Sequence, residues 1–132
     1  MRTLNKRKIV VLFVASLMAL FVSHPTTASN LTEEQKIERL LQAVAQSDLV
    51  FIRGGSEYGP TEASEHLRMK YNQVRSRIDT AEEFIEHIAS RSYLLGTPYY
   101  VRFSDGRTVE SGTWLSQRLR EIEAEACCEV PR

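Results

Sequence analysis

Cysteine is nearly absent from this 132-residue chain: there are two, Cys127 and Cys128, and they are neighbours. A bridge between adjacent residues closes no useful loop and strains the peptide between them, so the fold cannot depend on a long-range intrachain disulfide. Four Pro and six Gly are too few for a collagen-like or low-complexity chain, and a 42% hydrophobic content is too high for a wholly disordered one. Charge of one sign is lacking as well. With 17 basic and 17 acidic residues, there is no basic excess from which to argue nucleic-acid binding. Long apolar runs are also missing. The most apolar stretch, Ile9 to Val22, is roughly 14 residues and would rise about 21 Å as a helix, short of the roughly 30 Å hydrocarbon core of a bilayer. A His-Glu-x-x-His run, a Cys-x-x-Cys pair and an Asp-rich calcium loop are absent too, which removes the usual motifs of a metal centre.

What is present begins with an address. Arg2, Lys6, Arg7 and Lys8 precede the apolar stretch, and Ser23-His24-Pro25-Thr26-Thr27-Ala28-Ser29 comes after it. That order is the basic, apolar and polar sequence of a secretory signal peptide. Residues 1–28 are therefore expected to be a leader cut after Ala28, with no stable membrane anchor left behind and a periplasmic destination; an uncleaved signal anchor is the competing reading. No cysteine directly succeeds the apolar run, so no lipid anchor is expected. Loss of the four basic leader residues leaves 13 basic against 17 acidic side chains, a mildly acidic mature chain with little attraction for nucleic acid or anionic lipid.

The remaining residues have the length of one domain. Thr32 and Gln35 have the spacing of a capping box ahead of Ile37, Leu40, Leu41 and Val44, predicting a helix over 33–46. Leu49-Val50-Phe51-Ile52 reads as a short strand that opens into the loop Arg53-Gly54-Gly55. Pro60 fits the first turn of a second helix, 61–78, whose stripe is Ala63, Leu67, Tyr71, Val74 and Ile78. Thr80 and Glu83 repeat the capping-box spacing before a third helix with Phe84, Ile85 and Ile88. Pro98 to Phe103 and Arg107 to Glu110 flank Asp105-Gly106 as a hairpin; alternation sends Tyr99, Val101 and Phe103 to the core and Tyr100 and Arg102 outward. A last helix begins near Gly112, with Leu115, Leu119, Ile122 and Ala126 along one face and Trp114, the one tryptophan, as its anchor. The fold class is α+β: four amphipathic helices packed with a short strand and a small antiparallel β-hairpin. The domain is expected over 29–126, with 127–132 as a flexible tail.

Several blocks taken together resemble one family. Phe51-Ile52-Arg53-Gly54-Gly55, Glu62-Ala63-Ser64-Glu65-His66-Leu67-Arg68-Met69-Lys70, Thr80-Ala81-Glu82-Glu83-Phe84-Ile85 with Ile88-Ala89-Ser90, Gly96-Thr97-Pro98-Tyr99, Asp105-Gly106 and Trp114-Leu115 resemble, in this order, the YfeK-like family of exported bacterial proteins, a domain of unknown function. The resemblance runs from about Leu31 to Leu119. It implies an envelope location and implies no reaction.

Candidate chemistry gathers around four residues. Glu62, His66 and Lys70 lie at i, i+4 and i+8 on one side of the second helix. A carboxylate there could orient the imidazole and an ammonium could lower its pKa, making His66 a base or an anion contact near neutral pH. The plainer alternative is an ion-pair ladder at the core boundary. Arg53, beside the exposed amides of Gly54-Gly55-Ser56, could hold a carboxylate or phosphate, although a Gly pair more often just turns the chain. Glu62 and His66 with His87 or Glu86 are too sparse a set for a metal site, and no cofactor is expected. The residues support two readings. One is a small non-enzymatic binding or accessory module of the envelope, its ligand patch or structural support being Arg53, Glu62, His66 and Lys70, and its partner an envelope protein or a small anion. The other is a small hydrolase or transferase using His66 as general base oriented by Glu62. Cys127 or Cys128 could in addition join two chains through a disulfide.

Overall fold

The computed structural model describes residues 31–128; the expected leader and its cut after Ala28 lie outside them. Helix α1, Glu33–Ala45, starts on the capping box read from the sequence: Gln35 donates its backbone N–H to Thr32 Oγ1 at 3.2 Å, and Thr32 N–H donates to Gln35 Oε1 at 2.9 Å. These bonds satisfy N–H groups that a helix start otherwise leaves unpaired. Ile37, Leu40, Leu41 and Val44 are fully buried along one face.

Among the described residues one antiparallel sheet holds four strands, in the order β2-β1-β3-β4. β1, Val50–Arg53, and β2, Ser56–Tyr58, form a hairpin, and Gly54 and Gly55 make its two-residue turn with φ of 57° and 81°. Two successive left-handed residues match the twist of a tight hairpin and favour glycine at both places. The sequence reading of this glycine pair as a turn from strand to helix is thus corrected: a return strand intervenes. β3, Tyr100–Arg102, pairs with β1 on its other side, and β4, Thr108–Glu110, closes the sheet across Asp105-Gly106. Tyr58, Phe51, Val101 and Val109 lie in register across the four strands and form the core-facing row.

Helix α2, Pro60–Val74, begins on Pro60 as expected but stops four residues early. Val74 leaves the helical region, Arg75–Arg77 make a 3-10 turn, and Ile78 becomes extended. That detour lets Ile78 reach the core, where it is buried. Next comes α3, Ala81–Glu83, capped by Thr80 with Glu83 and by Glu33 of α1, whose carboxylate accepts the Ala81 N–H at 2.9 Å. From Phe84 to Ala89 the helix widens into π geometry. Phe84 is wholly buried and meets Tyr71 of α2 edge-on at 5.6 Å.

Helix α4, Ser111–Cys128, crosses behind the sheet with Leu115, Leu119 and Ile122 inward. Trp114 is half-buried and packs edge-on against Phe51 at 6.0 Å, joining α4 to the sheet. Lys36 of α1 bridges Glu33 at 2.7 Å and Glu123 of α4 at 2.8 Å. Cys127 and Cys128 form the last turn of α4, both exposed and free, while residues 129–132 of the expected tail lie outside the described residues. Four helices and one antiparallel sheet, among the described residues, make an α+β fold.

The packing of α4 on the wide helix is close at Gly112. A Cβ there would stand 2.3 Å from Ser90 Oγ and 3.2 Å from Ser90 Cβ, and Ser90 Oγ is held by donating to the Ile85 carbonyl at 2.6 Å. Gly112→Ala is expected to lower the unfolding free energy by about 1–3 kcal/mol, with Ser90→Gly in the same chain recovering most of the loss. Urea midpoints of the parent chain and the two variants measure this, and an unshifted midpoint for Gly112→Ala would mean that Ser90 swings aside freely.

Candidate functional site

Arg53 ends β1 two residues after Phe51, so pleat alternation turns its side chain to the core face of the sheet. α2 passes over that face, and His66 on its second turn meets the guanidinium: Arg53 Nη1 bonds to His66 Nε2. A guanidinium only donates, so Nε2 accepts, and the imidazole is neutral with its proton on Nδ1. Arg53 Nη2 also donates to the Tyr58 hydroxyl at 3.2 Å, and the guanidinium carbon lies 4.9 Å from the centre of the Tyr58 ring. Among the described residues no carboxylate pairs with Arg53.

One turn further along α2, Lys70 donates to the Ile88 carbonyl at 2.5 Å and to the Tyr99 hydroxyl at 3.3 Å, with its ammonium 5.1 Å from the centre of the Tyr99 ring. The Ile88 carbonyl belongs to the π-helical turn. Lys70 thus holds this turn to α2 while remaining a half-buried cation. Burial, and then the Arg53 charge, bring its pKa down to about 8. His66 is held below its ordinary value by the same causes in the same order, with Lys70 adding to them. Burial raises the Tyr99 hydroxyl, and the Arg53 guanidinium opposes the shift.

Between α2, the sheet and the wide helix lies a cavity of about 360 Å³, within the range of small-molecule sites. Phe51, Ala63, Leu67, Ala89 and Tyr99 give it a buried floor; Arg53, Tyr58 and His66 are half-buried in its wall; Glu62, Glu65 and Met69 are exposed at its rim. Of the four residues singled out in the sequence, Arg53, Glu62 and His66 line this cavity. Lys70 stands behind its Tyr99 wall. Glu62 makes no bond to His66, whose Nε2 is taken by Arg53. The sequence does not single out Tyr58 as a candidate, and it offers Tyr99 only as a hairpin residue that alternation sends to the core. Tyr58 becomes legible from the hairpin register once Gly54-Gly55 is read as a two-residue turn. Tyr99 is expected in the core and is buried there, although its hydroxyl reaches the site.

The sequence profile of a family of unknown function, DUF5329, matches residues 31–123. The chain belongs to this family. It is similar to the uncharacterized protein YfeK of Salmonella typhimurium, at 44% identity over 88 residues, which cover 65% of this chain and 73% of that protein. No solved structure matches the chain. The DUF5329 match spans α1 through most of α4, and so includes every residue of the cavity.

In this DUF5329 domain, no three of the described His, Cys, Asp or Glu residues come together as a metal cluster, and no described helix is long and apolar enough to cross a membrane. The chemistry of the cavity is carried by Arg53 and its neighbours. Because the Arg53 charge lowers both His66 and Lys70, Arg53→Gln is expected to move both pKa values upward, as read by NMR titration of the His66 ring and the Lys70 ε-methylene. Stability carries the same signature. The unfolded imidazole takes up a proton at its ordinary value of 6.5 and the folded one only at lower pH, so the His66 contribution is complete above about 6.5 and is lost as pH falls through the lowered value. His66→Gln should flatten that part of the acid limb, and an unaltered limb would assign the acid loss to other groups.

Proposed function

We propose that the chain is a small exported binding module of the bacterial envelope, without catalytic activity, and that the cavity beside Arg53 holds its ligand, a small molecule bearing negative charge. The observation that carries this reading is the combination of a buried apolar floor with a half-buried guanidinium that no carboxylate neutralises. Uncompensated buried charge is costly, and a ligand that supplies the missing anion relieves that cost. The hydrophobic residues beneath it give such a ligand a place for an apolar body.

Export through residues 1–28 is the second part of the proposal, resting on the basic, apolar and polar order of that segment. The hydrolase alternative requires His66 to be oriented by Glu62 and to offer a free ring nitrogen. The contact of Arg53 with Nε2 and the lack of a Glu62–His66 bond favour binding over that chemistry.

Two measurements test the parts separately. The protein recovered from the periplasm should begin at Ser29 on N-terminal sequencing, and recovery of the intact leader in the cytoplasm would overturn export. In native mass spectrometry the same protein should take up a small molecule from cell extract and release it with unchanged mass. Ala63→Leu, which fills the cavity from α2, should lose that uptake without a lower melting temperature. A ligand released chemically altered, at a rate cut by His66→Gln, would establish the enzymatic reading instead.

A further inference from the structure

We infer that the cavity selects a ligand with a single carboxylate and an apolar body, the carboxylate being recognised by Arg53, Tyr58 and Tyr99. This rests on the binding reading above and specifies its ligand. Around Arg53 the polar groups present donors, and the nearby Ser111 hydroxyl can donate as well. Arg53 has no lone pair to offer. Tyr58 and Tyr99 already accept on their hydroxyl oxygens, from Arg53 at 3.2 Å and from Lys70 at 3.3 Å, so each phenol has its proton left to give. His66 accepts at Nε2, which leaves Nδ1–H as the remaining polar group of the ring. A set made of donors is matched by an acceptor-only head, and a carboxylate with its two oxygens is such a head.

Two further features narrow the class. The Tyr58 and Tyr99 rings each already carry a cation, Arg53 at 4.9 Å and Lys70 at 5.1 Å, and these positive charges disfavour a cationic ligand beside them. At the rim, the exposed Glu62 and Glu65 repel a second negative charge. The floor of Phe51, Ala63, Leu67 and Ala89, with the buried hydroxyl of Ser111 beside it, is mostly apolar and suits an aryl or alkyl body better than a sugar or a phosphorylated one.

The test uses the full chain as the cell processes it, with calorimetry or NMR titration against paired probes: 2-naphthoate and 2-naphthamide, with hexanoate and hexanamide as a slimmer pair. Each carboxylate is expected to bind at least about tenfold tighter than its amide, the scale of a charge-assisted contact. Arg53→Gln should bring carboxylate down to amide affinity, and Tyr58→Phe, which keeps the ring, should lose part of the preference even if Arg53→Gln is poorly folded. Equal binding of acid and amide overturns the carboxylate assignment and leaves the binding reading standing. A naphthalene dicarboxylate or inorganic phosphate binding as tightly as naphthoate overturns the single charge, and a tighter naphthylmethylammonium overturns the sign. If none of the four paired probes binds while uptake from extract is seen, this inference fails and the binding reading stands; failure of both overturns both.

Discussion

A guanidinium sits on the core side of the sheet with no carboxylate among the described residues to meet it, and the arrangement of the site is a response to that. Arg53 needs acceptors, and the fold supplies an imidazole nitrogen and a phenol oxygen. Both are neutral, so the positive charge is hydrogen-bonded yet not cancelled. Burial disfavours the charged forms of two ionisable groups on α2, His66 and Lys70, and the Arg53 field adds to it, so that both pKa values are lowered. Aromatic faces accommodate the cations where no anion does, since Tyr58 lies beneath Arg53 and Tyr99 beneath Lys70. This is the reverse of the exposed face of the same sheet, where Arg102 pairs with Glu57 at 2.7 Å, and of α1, where Lys36 has two carboxylates. Lys36 and Arg102 are paired with carboxylates, while among the described residues Arg53 in the cavity wall and Lys70 behind it are met by neutral acceptors.

Lys70 links this electrostatic arrangement to the backbone. A π-helical turn spaces its hydrogen bonds more widely than an α-helical one. At the wide turn of Phe84–Ala89, two side chains bond to its carbonyls, Lys70 to Ile88 and Ser90 to Ile85. The first ties the turn to α2, and the second fixes Ser90 where α4 must pass with a glycine. Ala89, at the end of the turn, is part of the cavity floor. Helix widening, the close crossing of α4 and the depth of the cavity are therefore parts of one local solution.

Much of the fold is legible in the sequence because the signals are local. Thr32 with Gln35, Thr80 with Glu83, and Asp105-Gly106 each specify a cap or turn through bonds within a few residues, and each forms as expected. The β1–β2 hairpin is harder to see. Ser56-Glu57-Tyr58 contains a single apolar side chain, so it has no alternation to announce a strand, and only the two positive φ values explain the glycine pair. The end of α2 is hidden because Ile78 continues the apolar spacing although the chain reaches it by a 3-10 detour. Around the site, helical spacing places Glu62, His66 and Lys70 on one side of α2. However, each step of four residues advances about 40° around the axis, so Lys70 is turned roughly 80° from Glu62 and reaches the wide helix while Glu62 remains at the rim. The contact of His66 with Arg53 depends on sheet register and lies beyond any local pattern.

The wide turn also determines how this part of the chain tolerates insertion and deletion. Removing one residue between Phe84 and Ala89 would change the phase of the wide turn's carbonyls and of the residues after it, while leaving composition and helical propensity almost untouched. Ser90 would no longer face Gly112, and the carbonyl that now receives Lys70 would be replaced by a neighbour pointing elsewhere. Substitutions along this segment are judged one side chain at a time, but its length is fixed by two helices at once. Sequence variation that changes residue number there should be far rarer than variation that changes residue type.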